Sequence, residues 1–161
     1  MARVLQLFAA ISLAGALAGC GVAPPPAELN GLWSAGPAAC AAGVGVQFGA
    51  DAIAAVYDHQ HETLFERPRY RVMQRGADFK VRIDYDLPHQ VGGAESVGAY
   101  GVLVLDRGAD GALKPESHSL VDNRTGSVRI RIVNDPAMMS LALQPCGDRH
   151  NAQGLRGRDT L

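Results

Sequence analysis

His59 and His61 stand two residues apart between Asp58 and Glu62, residue types that could ligate a metal from one face of a strand. No distant third ligand completes the set, so a solvated turn is the better account and no metal is expected. Ser117-His118-Ser119 places two hydroxyls beside an imidazole. Neighbours on a strand point to opposite faces, so this adjacency argues against a nucleophile–base pair. The stretch from Asp106 to Asp110-Gly111 has some of the acidic character of a calcium loop but lacks the alternating ligands and the closing glutamate. It reads as a hairpin turn. Asp84 and Asp86 alternate with Lys80 and Arg82, which makes them solvated charges on a wet strand face rather than a carboxylate pair. No Gly-x-Ser-x-Gly elbow and no phosphate-binding glycine loop occurs. The expectation is therefore a protein that is not an enzyme and holds no cofactor.

The cysteines remain: Cys20, Cys40 and Cys146. Cys20 ends the run Leu17-Ala18-Gly19-Cys20, which follows Arg3 and the apolar stretch from Val4 to Ala16. A positive start, an apolar run too short to span a bilayer and a small-residue cleavage site make a secretory signal. The four residues closely resemble the lipobox of bacterial lipoproteins. That resemblance implies a thioether-linked diacylglycerol on Cys20, cleavage before it, and usually acylation of its new amine. Two or more acyl chains hold a protein stably where one does so marginally. Gly21, in place of the aspartate that retains such proteins at the inner membrane, implies a cell outer membrane address facing the periplasm. In that oxidising compartment, Cys40 and Cys146 are expected to form one disulfide.

Residues 1–19 are thus read as signal peptide and 20–28 as acylated cysteine plus tether, whose Pro24-Pro25-Pro26 favours extended polyproline II. Residues 29–161 have the length of one domain. Charge is nearly balanced, 15 Lys+Arg against 16 Asp+Glu, which excludes the clustered basic surplus of a nucleic-acid binder.

The elements that must position these residues are strands. Lys80 to Asp86 alternates without error, with Val81, Ile83 and Tyr85 on one face. Ser127 to Ile132 alternates likewise and is expected to be half-buried, and Tyr70 to Met73 is a weaker copy. Val44 to Phe48, Ala52 to Tyr57, Tyr100 to Leu105 and Met138 to Leu143 read as more apolar strands, although Ala52 to Tyr57 could open a short helix. Gly76-Ala77-Asp78, Gly108 to Gly111 and Asn123 to Gly126 are the turns between them. Together with a first strand at Gly31-Leu32-Trp33, these segments predict an all-β domain: a small antiparallel barrel or sandwich of about eight strands with one disulfide.

Gly31-Leu32-Trp33 resembles the Gly-x-Trp that opens lipocalin-like barrels, and bacterial protease-inhibitor lipoproteins are similar in carrying an early Gly-x-Trp and a disulfide. The lipocalin resemblance implies a basic residue near the C-terminus packed over Trp33, a place for Arg156 or Arg158. The longest irregular interval runs from Leu87 to Gly98 and holds Pro88, His89, Gln90, Val91, Gly92 and Gly93. Loops of this kind carry function on a rigid scaffold, so it is the candidate contact loop, with Val91 and Tyr100 as apolar contacts. The expected function is a lipid-anchored, non-catalytic envelope module that binds another protein, as inhibitor or assembly accessory. The alternative is a carrier of a small apolar ligand inside a lipocalin-like barrel, which requires an unfilled interior.

Overall fold

The structure is a computed structural model, and it describes residues 23–87, 97–132 and 141–147. The signal segment and Cys20, loop residues Pro88 to Gly93, Met138 to Ser140, and Arg156 and Arg158 lie outside the described residues.

The chain runs through β1 (Leu32–Ser34), a single helical turn α1 (Pro37–Ala41), β2 (Gly45–Phe48), β3 (Ala52–Tyr57), β4 (Gln60–Gln74), β5 (Lys80–Asp86), β6 (Ala99–Arg107), β7 (Leu113–Asp122), β8 (Val128–Arg131) and β9 (Gln144–Pro145). All nine strands join one antiparallel sheet in the order β8-β7-β6-β5-β4-β3-β2-β1-β9. The all-β class and the disulfide are as expected: Cys40 in α1 is bonded to Cys146 just after β9, with Cα atoms 5.4 Å apart. The sheet is not closed, because β8 and β9 do not pair. It curls far enough that Leu143, immediately before β9, exchanges two backbone hydrogen bonds of 2.8 and 2.9 Å with Leu113 of β7.

β5 lies between β4 and β6 and follows its alternation to the letter, with Val81, Ile83 and Tyr85 buried and the charged residues between them less so. They meet Leu105, Leu103 and Gly101 of β6 in register. Tyr85 fits only because position 101 is glycine, since a Cβ there would collide with the phenol ring. Trp33, Phe48, Ile53 and Leu113 from other strands and Leu29, Phe79 and Leu143 from the segments between strands complete one buried cluster, and Phe65, Tyr70, Val72 and Leu87 pack against it.

Ala52 to Tyr57 is a strand rather than the start of a helix. Its partner, β4, is 15 residues long, far beyond the Tyr70–Met73 segment that alternation marks. Its first half pairs with β3 and its second with β5, around a register shift between Glu66 and Arg69 that includes Arg67 at φ 46° and buried Pro68. A proline and a bulge split the apolar period in two, which hides a bent strand from a periodicity test. β7 is a strand for which alternation gives no clear sign, its Lys114, Pro115, Glu116 and His118 breaking the apolar pattern. β8 departs from its expected half-burial. A register shift between Leu120 and Val121 sets Val128 opposite Val121, and Val128 is 51% exposed.

Candidate functional site

Register divides the chemistry-bearing residues between two faces of the sheet. His118 lies opposite Leu103 and faces inward, while Ser117 and Ser119 lie opposite Val104 and Val102 and face outward. The Ser117-His118-Ser119 triplet is therefore split as strand geometry demands. Tyr85 is the partner of His118: its hydroxyl is hydrogen-bonded to Nε2 in a buried contact. Phe65 closes the group, with its ring centroid 4.0 Å from Tyr85 and 5.9 Å from His118. Burial lowers the His118 pKa and raises that of Tyr85, so both groups are held neutral. His118 Nδ1 is buried without a partner among the described residues. A buried, hydrogen-bonded pair of this kind orders a core.

The histidines singled out with metals in mind sit at the β3–β4 hairpin. Asp58 and His59 form the two-residue turn, at φ 47° and 59°, the positive values a type I′ turn requires. His61 is already in β4, and Glu62 accepts a 2.9 Å hydrogen bond from Tyr57 Oη. Among the described residues, no group of three or more His, Cys, Asp or Glu side chains is gathered for a metal. Asp84 accepts a 2.7 Å bond from Arg82 Nε on the same strand, while Asp86 is paired with Arg67 and Arg69 of β4. The Asp106–Gly111 stretch is a hairpin turn, closed by Gly108 N–H to Ala112 O at 2.9 Å, with Asp110 Oδ1 accepting from Ala112 N.

Trp33 is buried and donates from Nε1 to Leu29 O at 3.2 Å. The cation over it is Arg107 of β6, with the guanidinium carbon 5.7 Å from the Trp33 ring and 5.2 Å from that of Phe79. Arg107 also donates to Glu28 O at 2.8 Å, which ties the segment ahead of β1 to the sheet. Arg75 reaches Glu28 Oε1 at 3.4 Å. Nothing in the linear spacing of Trp33 and Arg107 announces this stack; only the roll of the sheet brings β6 back over β1.

These contacts give the domain two ends. Glu28 meets Arg75, after which β4 turns into β5, and Arg107, after which β6 turns into β7. At the opposite end, β5 finishes at Asp86 and β6 begins at Ala99, so the candidate loop starts and finishes there. Leu87 packs against the core, and Val97, 74% exposed, accepts a 2.7 Å hydrogen bond from Arg129. Asn123 N–H donates to Gly98 O at 2.9 Å and joins the β7–β8 turn to the same end.

The outward face between β5 and β8 carries a groove of about 490 Å³. Comparisons with family models, with curated proteins and with solved structures find no match for this chain. The reading of function therefore rests on geometry.

Proposed function

We propose that the protein is a lipid-anchored, non-catalytic module of the cell outer membrane, facing the periplasm, that binds another protein as inhibitor or assembly accessory. The observation that carries this reading is the polarity of the domain. The segment ending at Glu28 enters beside Arg75 and Arg107, and Leu87 and Gly98, between which the candidate loop runs, lie at the far end of strands β5 and β6. Seven residues of β5 at ~3.4 Å each separate the two by about 20 Å. A domain held at one end meets a partner with the other. The inward positions are occupied by large side chains, Trp33, Phe79 and Tyr85 among them, which favours an outside contact over a ligand carried within.

Two experiments test this. Cys20→Ser should abolish labelling by radioactive palmitate in growing cells; label retained by the variant overturns the anchor. For the partner, a photo-crosslinking residue placed at Val97 or Thr125 should give a discrete protein adduct in intact cells, and one at Asp78 or Asp110 should not. Equal adducts at both ends, or adducts only near the tether, would defeat the orientation.

A further inference from the structure

We propose that the groove across the outward face of β5 to β8 is a binding site for an aliphatic carboxylate, with Arg131 holding the acid group. The proposal does not depend on the protein contact assigned above to the loop, although Tyr100 is named in both. Register builds it from distant stretches of chain. Arg82 lies opposite Val104, Val104 opposite Ser117, Val102 opposite Ser119, and Ser119 opposite Arg131. A second row sets Tyr100 against Val121 and Val121 against Val128. Val102, Val104, Ser117, Ser119 and Val121 of β6 and β7 are the short side chains of the lining, and Arg82 of β5, Tyr100 of β6, Glu116 of β7 and Arg131 of β8 are the long ones around them.

The floor is apolar although it faces away from the core: Val102 is 7% exposed and Val121 is 6% exposed. The volume, about 490 Å³, suits a small molecule or the end of a chain. The charges decide the ligand. Glu116 is engaged by Lys80 and Arg82 by Asp84. Among the described residues Arg131 has no acidic partner, so their charges leave the groove with one positive charge not offset, opposite Ser119. A guanidinium offers paired donors that match a carboxylate, and the hydroxyl can donate a third bond. The valine floor then covers a branched hydrocarbon of a few carbons. An ammonium would be repelled, and an amide would forgo the charge-assisted bond.

Titration of the full chain by isothermal calorimetry, with amide chemical shifts followed in parallel, tests the site. The probes are 4-methylpentanoate, its amide, and acetyl-Ala-Leu with a free or an amidated C-terminus. The free acids should saturate at roughly millimolar concentration, with the neutral forms at least ~10-fold weaker. Shifts should centre on Val102, Ser119 and Arg131. Arg131→Gln should remove the preference for acid over amide, and Arg131→Lys should keep part of it. Binding of 4-methylpentanoate alone identifies a free small acid as the ligand; binding of the dipeptide acid alone identifies a polypeptide C-terminus. Equal binding of acid and amide on the unaltered chain, shifts elsewhere, or no saturation with either acid overturns the proposal.

Discussion

His118 is the residue whose chemistry most depends on its surroundings. Its imidazole has Tyr85 on Nε2 and, among the described residues, no partner for Nδ1, so protonation would bury a charge with an unsatisfied donor. Burial lowers its pKa in the folded state, which means that the unfolded chain binds more protons below pH ~6.5. The contribution of neutral His118 is complete above that pH and is lost as pH falls through it. Urea midpoints measured from pH 7.5 to 5 should therefore fall, and His118→Gln should flatten that dependence; an unchanged slope contradicts this account. The neighbouring positions give a steric counterpart. Gly101→Ala drives a methyl into the Tyr85 ring and should cost ~1–3 kcal/mol in denaturant unfolding. Tyr85→Phe keeps the packing but strips the last hydrogen bond from His118, at a cost of ~1–3 kcal/mol.

Among the described strands, β8 is an edge of the sheet, paired with β7 and four residues long. A strand so short and so exposed at Val128 needs its turn to be held. Asp122 does this: its Oδ1 accepts the N–H groups of Arg124 and Thr125 at 2.8 and 2.9 Å, and its Oδ2 accepts from the Arg129 guanidinium. Those donors hold the Asp122 carboxyl well below the usual carboxylate range. Stability from this network is present above the ordinary carboxylate pKa and is lost as pH falls below it. Asp122→Asn should speed amide exchange across β8 while leaving β5 and β6 protected, since local opening is confined to the edge. Exchange that rises equally in β5 would show that the hairpin is not an independent unit. The same Arg129 reaches Val97, so the variant should also loosen the loop end of the molecule.

At the scale of the whole molecule, the disulfide and Arg107 do similar work at opposite times in the chain. Cys40–Cys146 ties the β9 return to α1, and Arg107 of β6 ties Glu28 and Trp33 of β1 together. The bridge closes a loop with a sequence separation of 106, for which chain entropy gives up to ~4–5 kcal/mol. Reduction, or Cys40→Ser with Cys146→Ser, should lower the thermal midpoint; an unchanged midpoint means that β9 contributes nothing to the fold. The amino-acid sequence alone determined what depends on neighbours two residues apart. Lys80–Asp86 declares a half-buried strand by its alternation, and glycine-bearing stretches declare the hairpin turns. Two cysteines beyond Cys20 already implied one bridge, because in an oxidising setting an even number pairs. Where a bulge or proline broke the period, the sequence marked only Tyr70 to Met73 of β4 and nothing of β7, and it was silent on strand order. Trp33 meets Arg107 only because the sheet curls. Val102, Ser119 and Arg131 form one groove only because register sets three separate stretches side by side. Local pattern fixes which face a residue takes within its strand, whereas pairing across strands, a long-range choice, decides which residues share it.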